Sequence, residues 1–241
     1  MKIAIVGHGK MGHEVEAVAR ARGHEVFVAD RASGFPTTCP VGIDFTRPEA
    51  VPAGVRAAMD AGARYVVGTT GWDDRMDEVR TLVGRANGGL VHGANFSVGV
   101  NLFYRIVADA AALLARVPEY DPYVLERHHR HKRDAPSGTA KALARILEDA
   151  KGPRLRGVTS FAGPISDDAF HVSSVRVGGV IGDHTVGFDS GVDEIQLEHR
   201  AHNRRGFALG AVLAAEWIAT RTGVHGFEAV LDDLLKIPPS P

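Results

Sequence analysis

The chain reads as an α/β protein, a parallel sheet sheathed in helices with a second α+β domain inserted into it. Two patterns carry this expectation. Over residues 2–95, short apolar β-branched runs alternate with segments of helical spacing, the arrangement of a parallel sheet whose crossovers are helices. Further on, extended segments follow one another with glycine-containing turns between them, and the chain then ends in helical spacing again.

The elements follow in order. "KIAIVG" (2–7) is a buried strand, and "MGHEVEAVARARG" (11–23) is a helix that stops at Gly23. "HEVFVAD" (24–30) and "GIDF" (42–45) are strands, and "PEAVPAGVRAAMDAG" (48–62) is a helix weakened early by Pro52 and Gly54. "RYVVGTT" (64–70) is a strand, "WDDRMDEVRTLVGRA" (72–86) a helix and "GLVHGAN" (89–95) a strand. A long apolar helix over 98–116 precedes a strand at 122–126, and a further helix spans 138–150. "FHVSSVRVG", "DHTVGFDSG" and "EIQLEHRAH" are successive extended segments, expected to form a separate mixed sheet, part of it antiparallel. "GFALGAVLAAEWIATRTG" and "FEAVLDDLLK" are helical, with apolar faces that can return to the first sheet. Residues 1–97 and 207–241 are therefore assigned to one domain and 98–206 to the inserted one.

Bulk properties exclude several classes. The 241 residues are 44% apolar and 24% charged, with a formal net charge of -1, an ordinary globular composition long enough for a substantial core. A balanced charge argues against a nucleic-acid partner. No stretch approaches the ~20 apolar residues that span a bilayer. Cys39 is the single cysteine, so no intramolecular disulfide is possible and a reducing, cytoplasmic setting is the simplest. The apolar part of "MKIAIVGHGK" is too short for a signal peptide.

"VGHGKMG" spells Gly7-x-Gly9-x-x-Gly12 between a strand and a helix. The first glycine permits the tight turn, the second lets backbone approach a pyrophosphate, and the third lets helix pack on strand. The free N–H groups and positive end of the helix favour the phosphates. The domain is therefore of Rossmann type. Asp30, at the end of the second strand, suits a ribose hydroxyl of NAD, whereas Arg31 suits the 2′-phosphate of NADP. Both NADH and NADPH are accordingly candidates. "GTTGW" (68–72) and "GANFS" (93–97) follow the next strands, at the carboxyl edge where ligands lie in an open parallel sheet.

In "LERHHRHKRDAPSGTAKAL" (125–143), the seven positions Arg127 to Arg133 are all Arg, His or Lys. His128, His129 and His131 lack the ligand spacing of a zinc site, and Cys39 supplies no obvious fourth ligand. No aromatic residue lies in the run for stacking on bases. The following "DAPSGTA" decides the reading. Pro136 turns the chain, and Ser137 or Thr139 can cap the helix beyond. A helix N-terminus preceded by cations is an anion site. Backbone N–H groups at Gly138 and Thr139 suit one carboxylate, and His129 or Lys132 suits another. His128 among them is a candidate proton donor. The pattern describes a site for a small dicarboxylate that is reduced by hydride and then protonated. Arg130, His131 and Arg133 read as framework or surface.

"ERHHRHKRDAPSGTA" (126–140) resembles the signature of the 4-hydroxy-tetrahydrodipicolinate (dihydrodipicolinate) reductase family of diaminopimelate and lysine biosynthesis. "VGHGKMG", "DFTRPEA" (44–50), "GTTGW", "ANFSVGVN" (94–101) and "VRVGGVIGDHTVGF" (175–188) agree with it in order. The resemblance implies a nicotinamide-dependent reductase with a Rossmann domain and a second domain that holds substrate and assembles a homotetramer. It implies His128 as the proton donor and acceptor, Lys132 as a second proton donor, and His129, Gly138 and Thr139 as substrate contacts. It implies cofactor contacts at Gly7, His8, Gly9, Lys10, Met11, Gly12, Asp30, Arg31, Gly68, Thr69, Thr70, Ala94, Asn95, Phe96, Ser97 and Arg204. Arg133 and the short segment between Asp30 and Asp44 depart from the family's pattern. Rival readings are an oxidative amino-acid dehydrogenase and a non-catalytic nucleotide sensor, the latter having no need of "HHRHKRDAPSGT".

Overall fold

The computed structural model describes residues 1–29, 34–152 and 155–236. In chain order the elements are β1 (Lys2–Val6), α1 (Lys10–Ala21), β2 (Glu25–Ala29), β3 (Val41–Asp44), α2 (Val51–Asp60), β4 (Arg64–Val67), α3 (Met76–Arg85), β5 (Gly89–His92) and α4 (Val98–Leu114). There follow β6 (Asp121–His128), α5 (Gly138–Lys151), β7 (Arg156–Val158), β8 (Ala169–Arg176), β9 (Asp183–Asp189), β10 (Glu194–Arg200), α6 (Arg205–Ile218), β11 (Gly223–Gly226) and α7 (Phe227–Leu234). The chain forms two compact units, Met1–Val98 with Arg204–Pro241, and Gly99–Asn203. Arg204 thus belongs to the first unit.

The first unit is built on a six-stranded sheet in the order β11-β5-β4-β3-β1-β2, every pair of it parallel. The predicted α/β class with a Rossmann-type parallel sheet is therefore found. Ile3, Ile5, Val41, Ile43, Val66 and Val91 face a core completed by Ala208, Ala211, Val212 and Ala215 of α6 and by Phe227 and Val230 of α7. The opposite face packs Val51, Val55 and Met59 of α2 and Val79 and Val83 of α3 against Tyr65, Val67 and Leu90. Strands buried on both faces explain why they read as unbroken apolar runs. The sequence of neighbours reverses at β1, which pairs β2 on one side and β3 on the other, and a ligand crevice opens at such a point.

The second unit carries a five-stranded sheet, order β10-β9-β6-β8-β7. β6 pairs β9 antiparallel and β8 parallel, so the sheet is mixed, as expected. Val124, Val172, Val186 and Phe188 pack with Leu143 and Leu147 of α5 and with Phe103 and Val107 of α4.

The differences from expectation are local. The helix expected over 48–62 opens as a 3-10 turn at Pro48–Ala50 before α2. Pro52 falls in the first turn of α2, where a missing N–H leaves no hydrogen bond unmade. The helix expected from 72 likewise starts with a 3-10 turn at Asp73–Arg75. The strand expected over 64–70 stops at Val67, leaving Gly68 to Thr70 as loop. β7 and β11 were not anticipated.

Candidate active site

In the first unit the glycine turn closes β1 onto α1. Gly7 has φ +89°, and a Cβ there would press on Thr46 Cγ2 at 2.8 Å and on the Phe45 carbonyl at 3.0 Å, so only glycine fits both the dihedral and the space. A Cβ at Gly12 would collide with the Gly7 carbonyl oxygen, whereas Gly9 faces open space. That is the pattern of a turn whose middle residue lets a ligand approach backbone. His8, Gly9 and Lys10 are exposed, and Met11 is half-buried. Glu16 sits below the turn, 2.7 Å from His8 Nε2, and also accepts from Arg20.

The neighbouring loops are anchored from beneath. Asp44, buried at the end of β3, accepts from Thr46 N at 2.7 Å, Thr46 Oγ1 at 2.6 Å, Tyr65 Oη at 3.1 Å and Thr69 Oγ1 at 3.3 Å. Burial raises its carboxyl, and the bonds from Thr46, Tyr65 and Thr69 oppose that rise. One carboxylate thus ties the loop after β3 to the loop after β4. Trp72 Nε1 donates to Thr69 O at 2.8 Å. Thr69, Thr70, Gly71, Gly93 and Ala94 line a hollow of about 50 Å³. Asn95 Oδ1 accepts from Ser97 N at 2.8 Å. The Phe96 ring is buried between Phe45 and Phe227, so only its backbone is available to a ligand. Arg204 is half-buried at the start of α6. Asp30 and Arg31 lie outside the described residues.

In the second unit β6 delivers the other candidate residues. Its alternation buries Val124, Glu126 and His128 on one face. Arg127 points the other way and pairs Asp183 Oδ2 at 2.8 Å. Register does the rest, setting Glu126 opposite His184 of β9 and Ser174 of β8, and His128 opposite Arg176. Glu126, fully buried, accepts at Oε1 from Ser174 Oγ at 2.6 Å, Arg176 Nη2 at 2.8 Å and Ser137 N at 3.1 Å. Its Oε2 lies 2.5 Å from His128 Nδ1. Arg176 Nη2 also donates to the carbonyl of Asp134, at 2.5 Å.

The segment from 129 to 139 follows. Lys132 Nζ is 2.8 Å from Asp134 Oδ1. Ser137 caps α5, its Oγ accepting from Ala140 N at 3.1 Å and standing 3.2 Å from His184 Nε2. Gly138 and Thr139 occupy the first turn of α5, the end that attracts anions. Arg130, His131 and Arg133 are exposed, and His129 is half-buried.

Electrostatics divide the cluster. Burial would raise the Glu126 carboxyl, but contact with His128, Ser174 and Arg176 outweighs it and holds the group well below the usual carboxylate range. Burial, then the charge of His128, pushes His184 down to about 3, so that imidazole stays neutral at physiological pH. Burial would also raise Asp134, yet the bond from Lys132 carries it below its ordinary value. The cluster offers an imidazole on an ionised carboxylate, an ammonium, and a capped helix end. Those groups can bind carboxylates and move a proton.

Within the second unit, His128, Lys132, Gly138 and Thr139 lie on one hydrogen-bonded segment. The residues that pure sequence reading passed over are Glu126, Ser174, Arg176 and His184, and Asp44 in the first unit. Glu126 and His184 had a signal, each being polar at an inward position of an alternating strand.

Comparisons with known proteins show the family and the fold. A family model described as dihydrodipicolinate reductase, C-terminus, matches residues 99–231, and its N-terminal counterpart matches 16–96. The curated 4-hydroxy-tetrahydrodipicolinate reductase of Christiangramia forsetii is 34% identical over 242 residues, covering 98% of this chain and 100% of that one. The enzyme of the same name from Methanocorpusculum labreanum is 40% identical over 192 residues, 78% of this chain and 74% of its own. Among solved structures, a dipicolinate-bound dihydrodipicolinate reductase from Paenisporosarcina sp. TG-14 superposes with a TM-score of 0.75 over 95% of this chain and 98% of that one. At 24% identity it speaks for the fold.

Proposed function

The chain belongs to the dihydrodipicolinate reductase family, and from that premise we propose that it reduces 4-hydroxy-tetrahydrodipicolinate to tetrahydrodipicolinate with a nicotinamide cofactor. The single observation that carries this reading is the segment from His128 to Thr139, which joins a proton donor, an ammonium and a helix N-terminus. A dicarboxylate needs two cationic or N–H-rich contacts, and a reduced enamine needs a proton.

The chemistry assigns roles. The turn from Gly7 to Gly12 takes the pyrophosphate, and the loops at Gly68 to Thr70 and Ala94 to Ser97 take the nicotinamide half. Gly138 and Thr139 at the start of α5 hold one carboxylate, and His129 with Lys132 holds the other. Once water has left the substrate, a bound nicotinamide would supply hydride to the unsaturated carbon so formed, and His128, assisted by Lys132, delivers the proton to the resulting enamine. NADH and NADPH are both carried, since Asp30 favours the first and Arg31 the second. A homotetramer also belongs to this reading, supported by the exposed outer strand β10 and the exposed Val192 and Ile195. A cytoplasmic setting fits the lone buried thiol of Cys39.

The test couples the condensing synthase, supplied with pyruvate and aspartate semialdehyde, to this protein. Oxidation of NADH and of NADPH is followed separately. Oxidation of at least one is expected, with turnover lost in His128→Gln and cofactor affinity kept. No oxidation of either would overturn the activity, and unchanged turnover in His128→Gln would overturn the proton-donor role.

A further inference from the structure

The roles above leave the most completely buried charge of the second unit unexplained. Glu126 has 0% exposure, and a carboxylate there costs several kcal/mol of desolvation unless its partners are well placed. Three of them converge on Oε1, namely Ser174 Oγ, Arg176 Nη2 and the backbone N–H of Ser137. Oε2 is left for His128, 2.5 Å from Nδ1. Neither atom is otherwise hydrogen-bonded, and a proton on Nδ1 is what keeps two lone pairs from opposing each other at that separation. Nε2 is then the nitrogen that exchanges a proton with a ligand. The space next to it is kept clear by Gly182, where a Cβ would stand 3.0 Å from Nε2.

We propose that Glu126 is the positioning residue of the proton-transfer step, fixing His128 as the Nδ1-protonated tautomer while its other oxygen clasps the turn that begins α5. Arg176 is the clamp of this arrangement, since it binds both Glu126 Oε1 and the Asp134 carbonyl. The proposal rests on reading His128 as the proton donor. In the step itself the cationic imidazole releases its Nε2 proton to the reduced substrate and keeps the Nδ1 proton. Glu126 stays ionised throughout and changes no bond. Because the same carboxylate accepts from Ser137 N, movement of the turn that receives substrate is felt at the imidazole. A buried ion pair that served stability alone would not require its second oxygen to face the reacting histidine.

The first experiment uses the unmodified protein. Nitrogen-15 NMR of the ring nitrogens, with the His128 signals identified by their loss in His128→Gln, should show the Nδ1-protonated tautomer of His128 in alkaline solution. Finding the proton on Nε2 overturns the proposal, whatever the activity. The second uses Glu126→Gln, which keeps shape and an acceptor but removes charge. It should lower kcat by about tenfold or more, within the range of general acid–base contributions, leave KM for the dinucleotide unchanged, and give a mixture of tautomers. Ser174→Ala removes one donor to Oε1, so it should move kcat in the same direction by a smaller factor and serves if Glu126→Gln fails to fold. Unchanged kcat in folded Glu126→Gln overturns the proposal. If His128→Gln retains turnover, the proton-donor reading fails separately, and the tautomer measurement still decides what Glu126 does.

Discussion

A single glycine shows how far one atom can decide function in this chain. Gly12 lies inside α1, where glycine costs roughly 1 kcal/mol relative to alanine. Propensity alone would favour Gly12→Ala. The structure reverses the sign, because the added Cβ would overlap the Gly7 carbonyl oxygen, and backbone cannot yield as a flexible side chain can. Overpacking of this kind costs about 1–3 kcal/mol. Since the contact lies within the phosphate turn, the same shift should weaken dinucleotide binding by about tenfold, each 1.4 kcal/mol being one decade. Titration of NADH fluorescence measures it, and Gly84→Ala is the control. Gly84 is an exposed helical position with nothing within 4 Å of its missing Cβ, so that variant should bind normally and gain about 0.4–1 kcal/mol of stability. Unaltered affinity in Gly12→Ala would show that the turn does not contact the cofactor. The glycine motif was legible in the sequence because its three members are close neighbours. Asp44 was not, since its partners Tyr65 and Thr69 arrive from another strand and its loop.

At the level of elements, what could be read and what could not follows from how each is stabilised. β1, β3 and β4 announce themselves because burial on both faces demands apolar, β-branched residues. β7 (RGV) and β11 (GVHG) are too short and too rich in glycine to carry any pattern. They are strands only because β8 and β5 offer free edges to pair with. The same distinction runs through the candidate site. His128, Lys132 and the Ser137 cap stand in one contiguous segment, whereas Glu126 meets Ser174, Arg176 and His184 only through the register of β6 with its two neighbours. α5 joins both kinds of information. Ser137 is 2% exposed, accepts from Ala140 N, and lies against His184 Nε2. Ser137→Ala should therefore cost about 2–4 kcal/mol, the sum of a lost cap and a stranded buried imidazole nitrogen. It should raise KM for the dicarboxylate more than it lowers kcat, and Ser137→Thr should restore most of both. Urea unfolding and steady-state kinetics give the two numbers. A kcat loss with unchanged KM would mean that the start of α5 does not receive substrate.

For the molecule as a whole, buried charge is unequally divided between the two units, and acid should expose the difference. In the second unit His184 is held neutral with its pKa pushed down to about 3 by burial and by the charge of His128. Its unfolded value is near 6.5. Between those limits the unfolded chain binds a proton that the folded unit does not, so stability present above pH 6.5 is lost as pH falls, by about 1.4 kcal/mol per pH unit at most. Glu126 adds to the loss below its ordinary range, because its ionised form is the one the fold favours. The first unit carries a smaller effect of the same sign at His92, which burial lowers. Its most buried carboxyl, Asp44, acts in the opposite sense. Burial raises Asp44, so its folded form is the readier to accept a proton, and its contribution grows as pH falls through that raised value. The two units should therefore part company in acid. Hydrogen exchange followed by mass spectrometry between pH 7 and pH 4, corrected for intrinsic exchange, should show protection failing first in β6, β8, β9 and α5. Protection in β1, β3 and β4 should persist to lower pH. His184→Gln removes the titrating group and should make the acid dependence of the second unit shallower even if the variant begins less stable. Simultaneous loss in both sheets, or an unchanged slope in His184→Gln, would mean that the buried imidazole does not set the acid limit of the fold.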